Sequence, residues 1–282
     1  MGVTINWPLT HIFHMIVEVL GNMQDGGVPH LGCSCDVCES ARQDANESKY
    51  IESILLRENN DEDSARYLVN ATPDIRQQVQ YEYIDGVFIP HEGLGHITGL
   101  QFFGQEGPDT SDMSVFTSNT VEEYMMKNDP YRFLIDRDNI QVQAFNHGDE
   151  EDIRGGAIEA VHFHHPHLNH DTTAYMIHGD DRKLFYLADI TDFNQKVEEK
   201  VKEADIAILD GTFWSEDEIG RFEEVPHPPI RRSIDQFSDF ETDIYFTHLN
   251  HTNPVVRQDS DERKELRTKG FSVLDGGESF KI

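Results

Sequence analysis

Cys33, Cys35 and Cys38 stand within six residues at C-x-C-x-x-C spacing, and the 282-residue chain has no other cysteine. Three thiols cannot all pair as disulfides within one chain. They can converge on one ion, because a tight turn points all three sulfurs at one place. A structural zinc takes four soft or borderline ligands in a tetrahedron, so this set lacks one, and a histidine distant in sequence is the expected fourth. Cysteine used this way fits a reducing compartment and a cytoplasmic location.

These groups need elements to hold them. A strand over 15–21 leads into the loop Gly26-Gly27-Val28-Pro29-His30 and then the cysteines. Strand-type runs follow at 51–57 and 66–71, a helix over Asp74–Tyr83, and a short apolar strand over Ile84–Pro90 that ends at a histidine. A helix closes over Gln101–Pro108 and another covers 119–127. Further strands are expected at 140–145, 157–163, 173–178 and 184–188, an amphipathic helix over Phe193–Glu203, buried-type strands at 206–209 and 244–246, and a helix over 259–268 before a final strand pair. Strands interleaved with helices, many ending in His or Asp, imply layered α/β architecture with a site along the strand ends. The length suits one large domain over 15–282, with residues 1–14 as an N-terminal extension. That extension lacks the basic start and cleavage site of a signal peptide, and no run is long and apolar enough to span a bilayer.

Asp and Glu number 53 against 23 Lys and Arg, a formal charge of −30. Such a field repels polyanions, so neither a nucleic-acid nor a membrane partner is expected; a small-molecule substrate is, with a homodimer left open. The acid is dispersed along the chain, which reads as a halophilic adaptation. Raising salt from 0.1 M to 1 M shortens the screening length from about 10 Å to about 3 Å. The melting temperature is therefore expected to rise with potassium chloride into the molar range; a flat or falling curve counts against the halophilic reading.

The run Phe88-Ile89-Pro90-His91-Glu92-Gly93-Leu94-Gly95-His96-Ile97-Thr98-Gly99-Leu100 resembles the H-x-H-x-D-H segment of the metallo-β-lactamase superfamily, with Gly93 and Gly95 where the second His and the Asp would stand. The resemblance implies a four-layer αββα sandwich. It also places three further metal ligands, in order along the chain: His170 in Leu168-Asn169-His170-Asp171, Asp189 at the end of Leu184-Phe185-Tyr186-Leu187-Ala188-Asp189, and His248 at the end of Ile244-Tyr245-Phe246-Thr247-His248. Asp189 and His91 are the expected catalytic groups. Four imidazoles and a carboxylate suit Fe2+, Zn2+ or Mn2+, and the two glycines favour one ion over two.

Two families within the superfamily are more similar still. Pyrroloquinoline quinone (PQQ) biosynthesis protein B shares the Gly-Gly-x-Pro loop before the cysteines, a segment like Ala71-Thr72-Pro73-Asp74, one like Leu209-Asp210-Gly211-Thr212-Phe213-Trp214 and one like His248-Leu249-Asn250-His251-Thr252-Asn253-Pro254. This likeness implies an iron-dependent oxidative step on a tyrosine-derived or other small substrate. The phosphodiesterase of the carbon–phosphorus lyase pathway resembles the chain in Gly27-Val28-Pro29, in Leu168-Asn169-His170 and in Thr247-His248-x-x-His251. It implies that His248 serves the catalytic metal while His251 joins Cys33, Cys35 and Cys38 around a structural zinc. It also offers hydrolysis by a metal-bound hydroxide as the alternative reaction, with a non-catalytic carrier as a third reading. Among weaker candidates, His162, His164, His165 and His167 approach His170, Asp210 could support a ligand, and His30 could line the cleft.

Overall fold

A computed structural model describes residues 14–58, 64–79, 83–165 and 170–282. Most of the segment read as an extension therefore lies outside the described residues. Fourteen strands among the described residues form two seven-stranded sheets. The first holds β1 (Met15–Gly21), β2 (Ser53–Glu58), β3 (Arg66–Val69), β4 (Gly86–Ile89), β5 (Met113–Thr117), β6 (Ile140–Ala144) and, at its far edge beside β1, the last strand of the chain, Ser279–Lys281. The second runs from β7 (Glu150–Ile153) through β8 (Gly156–His165), β9 (His170–His178), β10 (Lys183–Leu187), β11 (Ile206–Asp210) and β12 (Asp243–Thr247) to β13 (Ser272–Val273).

Each sheet has an antiparallel and a parallel half. β3 to β6 are parallel, as are β10 to β13. Parallel neighbours need crossovers, and helices supply them. Helices over Asn119–Lys127 and Tyr131–Asp136 cover the first sheet, and helices over Gln195–Glu203, Ile230–Phe237 and Asp261–Thr268 cover the second. β4 and β11 are accordingly buried on both faces and read as unbroken apolar runs.

Three apolar layers follow from this order. Val17, Leu56, Phe88, Ile158, Tyr175 and Ile208 meet between the sheets. Val87, Val115, Ile97, Leu100 and Met125 pack outside the first sheet, and Phe185, Leu209, Val201, Ile234 and Leu266 outside the second. This is the four-layer αββα sandwich expected from the sequence.

Two expected helices are shorter. The one over Asp74–Tyr83 is a single turn, Ile75–Gln78. In place of the helix closing over Gln101–Pro108 stand the turn Leu94–Ile97 and the 3₁₀ segment Thr98–Phe103. The cause is local. Gly99 passes so close to the backbone of Ala71 and Thr72 that an added Cβ would meet the Thr72 carbonyl, and Gly104, Gly107 and Pro108 cannot sustain a helix. No described helix is long and apolar enough to cross a membrane.

Candidate metal centres

The carboxyl ends of the parallel strands face one another across the top of the two sheets, which is where open parallel sheets place their ligands. β4 delivers His91, β10 Asp189, β11 Asp210 and β12 His248. Asn70, Asp189 and His248 all take positive φ, 73°, 53° and 57°. Side-chain-bearing residues enter that region at a cost of about 1–3 kcal/mol, and such strain gathers at functional sites.

His96 is fully buried on the turn after β4. The Asn70 amide nitrogen donates to the Glu52 carboxylate at 2.9 Å, so the Asn70 oxygen is an acceptor, and His96 Nδ1 donates to it at 3.0 Å. In the neutral ring, Nε2 of His96 therefore carries the lone pair. It lies 3.5 Å from Asp189 Oδ2 and 3.4 Å from Asp25 Oδ1.

His248 is built the same way. Thr212 Oγ1 donates to Asp210 Oδ1, so its oxygen accepts from His248 Nδ1 at 2.9 Å, with Asp210 Oδ2 3.3 Å away. His227 Nδ1 donates to Asp210 Oδ2 at 3.0 Å. Asp210 thus orients two imidazoles through the ring nitrogen opposite the one facing the cleft, the usual arrangement behind metal-bound histidine.

His91 differs. The Gly93 amide donates to its Nδ1 at 3.0 Å, which puts the ring proton on Nε2, 3.1 Å from Asp189 Oδ2. Of the two roles expected for His91, that tautomer suits a proton-bearing catalytic group better than a ligand.

Charge follows the geometry. Burial opposes ionisation of Asp189, but His165, His91 and His96 outweigh it and hold the carboxyl well below the usual range. Burial likewise opposes a charge on His96, yet the nearby carboxylates of Asp189, Asp25 and Glu52 raise it well above an ordinary histidine. His248 is pushed up to about 9, where Asp210 outweighs burial. Burial pulls His91 down. The cluster thus favours positive charge at its centre. Nε2 of His96 and of His248 are buried and make no hydrogen bond, although carboxylate oxygens lie near His96. Lone pairs and carboxylates facing one point without bonding each other are a donor set that fits a divalent cation.

The sequence-based site residues fall into two groups. Ligand atoms of Cys33, Cys35, Cys38 and His251 lie within 4.8 Å of one another. His251 Nδ1 is 3.6 Å from both Cys33 Sγ and Cys35 Sγ. A tetrahedron with Zn–S of about 2.3 Å and Zn–N of about 2.0 Å has an edge of about 3.6 Å. Cys35 caps a helix, Asp36–Gln43, and Cys38 sits in its first turn, so both sulfurs face the same side. His30 stacks on His251 at 4.5 Å and its amide donates to Cys38 Sγ.

In the second group, His91, His96, Asp189 and His248 meet as expected. His170 opens β9 opposite His165, and its side chain lies outside the described residues. Asp25, His165 and His227 join this cluster. His165 Nε2 is 3.5 Å from Asp189 Oδ1, the nearest approach of the histidines before His170; His162 and His164 turn away, and His167 lies outside the described residues. Asp25 and His227 went unread because neither ends a strand. The only advance signal for His227 was its rigid frame, Pro226-His227-Pro228-Pro229. A cleft of about 350 Å³ opens over both groups, lined by Asp25, His30, Asp189, Arg221, His227 and His251 among others.

Comparison with known proteins agrees with this architecture. Coenzyme PQQ synthesis protein B of Methylobacillus flagellatus is 25% identical over 311 residues, spanning 93% of this chain and 98% of that protein. The structure of Zn(2+)-bound PqqB from Methylobacterium extorquens superposes with a TM-score of 0.82 at 21% identity, over 95% of this chain and 100% of the other. A diphosphatase from the PhnP family follows at 0.73 and 20% identity, over 95% and 97% of the two chains. The beta-lactamase superfamily domain matches residues 65–276, and the chain belongs to that superfamily.

Proposed function

We propose that this chain is a metal-dependent enzyme that carries out an oxidative step on a small anionic substrate, tyrosine-derived or similar. The observation that carries this reading is the donor pattern. Every close group in the cluster (His91, His96 and Asp189; Asp25, His96 and His248; Asp189, His227 and His248) is two histidines and one carboxylate. That set with open positions is the habitual site of non-haem iron. When bound, such an ion supplies a redox or Lewis-acidic centre. The chain's own residues do the rest. Asp210 and Asn70 fix the tautomers of His248 and His96, and His91 holds a proton against Asp189. Arg221 is the one Lys or Arg among the residues lining the cleft and suits a carboxylate or phosphate on the substrate. Cys33, Cys35, Cys38 and His251 hold a structural zinc in this reading. The likeness to PQQ synthesis protein B supports it.

Hydrolysis is the second reading. His96, His248 and Asp189 each belong to two of the close groups, so neighbouring positions could share them, as two-metal hydrolases require. Protein purified without oxygen and loaded separately with Fe2+, Mn2+ or Zn2+ separates the two. The oxidative reading expects oxygen uptake with small tyrosine-derived compounds in the iron form alone. Cleavage of a model phosphodiester by the zinc or manganese form, with no oxygen uptake under iron, would establish hydrolysis instead. Failure to take up any ion beyond one zinc would leave only the carrier.

A further inference from the structure

The superfamily segment that begins at His91 has glycine at two ligand positions, and the structure shows what fills the space. A Cβ on Gly95 would lie 2.2 Å from Asp25 Oδ1 and 2.7 Å from Asp25 Cγ. A Cβ on Gly93 would lie 2.5 Å from Cε1 and 2.7 Å from Nδ1 of His91. Real Cβ atoms do not approach so closely, so the volume that a side chain at 95 would enter belongs to the carboxylate of Asp25. The ring of His91 covers Gly93 in the same way. The glycines are therefore a condition of the present site.

Asp25 reaches this place through a tight turn. Met23 bridges to Leu249, the Gln24 amide donates to the Leu249 carbonyl, and the Gly27 amide closes back on the Gln24 carbonyl. Gly27 has φ of +56°, where glycine alone is unstrained. The turn is thereby fastened to the residue after His248. Asp25 Oδ1 stands 3.4 Å from His96 Nε2, and the ligand atoms of Asp25, His96 and His248 lie within 4.8 Å of one another. Independently of Asp25, Nε2 of His96 and of His248 are both buried and unbonded, while their Nδ1 atoms are committed as donors to Asn70 and to Thr212. Both lone pairs open toward the Asp25 carboxylate, which is half exposed at the mouth of the cleft.

We propose that Asp25 has taken over the position of the missing motif aspartate and, with His96 and His248, binds a divalent cation. The carboxylate comes from the Asp25 loop and occupies the volume that the first atoms of a side chain at 95 would enter. The inference rests on reading the histidine cluster as a metal centre. It adds a residue on the Gln24-Asp25-Gly26-Gly27 turn, ahead of the cysteines, so that a single loop serves both the cluster and the zinc site.

The test is calorimetric titration with Mn2+ and with Zn2+ of protein that retains its cysteine-bound zinc. Four forms are compared: wild type, Asp25→Asn, Asp189→Ala and the exchange variant Asp25→Gly with Gly95→Asp. Asp25→Asn keeps shape and loses charge, and is expected to weaken one equivalent by about 10–100-fold, the range for disturbing the surroundings of a bound metal, or more. The exchange variant is expected to recover most of that affinity, because removing the Asp25 side chain frees the volume beside Gly95 and the motif position again supplies a carboxylate next to His96. Wild-type affinity in Asp25→Asn, alongside lost affinity in Asp189→Ala, would overturn the role of Asp25 and leave the metal centre standing. A wild type that binds nothing beyond the cysteine-held zinc would overturn both.

Discussion

Asp189→Ala is expected to abolish turnover and to lower the affinity of the cluster for Mn2+ or Zn2+ by about 100-fold or more, while one zinc per chain stays bound. The reason is position. Asp189 presents Oδ2 to His91 and His96 at 3.1 and 3.5 Å, and Oδ1 to His165 and His227 at 3.5 and 4.0 Å. No other carboxylate among the described residues faces so many imidazoles, and Asp189 belongs to two of the three overlapping groups. Its left-handed backbone aims the carboxylate inward from the end of β10. Removing it also leaves buried imidazoles without their nearest counter-charge, and breaking a buried pair in that way typically costs about 3–5 kcal/mol. Some loss of melting temperature is therefore expected as well. Asp189→Asn separates the two effects, since it restores volume and hydrogen bonding without charge. If Asp189→Ala keeps wild-type affinity for metal in the cluster, the two positions that Asp189 shares with His91 and with His227 are not where the ion binds.

The chemistry of this site was legible wherever it coincided with a strand end. Asp189 and His248 each follow an apolar run whose burial forces the next polar residue to the rim of the sheet. His91 does the same after β4. Asp210, expected as a support for a ligand, also closes a turn: Oδ1 takes the Thr212 amide and hydroxyl, and Oδ2 faces His227 and His248. What sequence could not reveal is any residue brought in by a long-range contact. Asp25 lies in a glycine-rich turn that reads locally as a connection, and its role depends on the bridge from Met23 to Leu249 far along the chain. The same holds for the helix over Asp36–Gln43. The cysteines looked like a turn, yet Cys35 is the cap of a helix and Cys38 lies in its first turn. The helix Ile230–Phe237 was also missed. Its inward residues Ile230, Ser233, Ile234 and Phe237 include a serine, and its flanks are prolines on one side and polar residues on the other, so its short apolar stripe resembled a loop. The layered order of strands, by contrast, needs only burial and periodicity, and those are local.

Cys35→Ser is expected to release about one equivalent of zinc and to lower the melting temperature by several degrees, at about 2–4 °C per kcal/mol for a chain of this class, because structural zinc contributes folding free energy directly. The size of the effect comes from what the four ligands join. Cys33, Cys35 and Cys38 lie near the start of the chain on the loop after β1, and His251 lies near its end on the loop after β12. An ion among them closes a loop over most of the fold, and long closures restrict the unfolded chain most. The protein surroundings already favour thiolate at one end of the set and oppose it at the other. The Cys35 amide donates to Cys33 Sγ and pulls that thiol down, whereas burial pushes Cys38 up to about 11. A cation offsets the second effect, which is why affinity should fall steeply once one sulfur is replaced by a hydroxyl. The loss should also reach the other centre, because His251 and His248 are three residues apart on one loop and the Asp25 turn is fastened to Leu249 between them. Cys35→Ser is accordingly expected to weaken metal binding in the histidine cluster by a smaller factor than Asp189→Ala, with both read from metal analysis and differential scanning calorimetry of the same samples. A variant that keeps its full zinc and its melting temperature would show that the four side chains meet for packing alone.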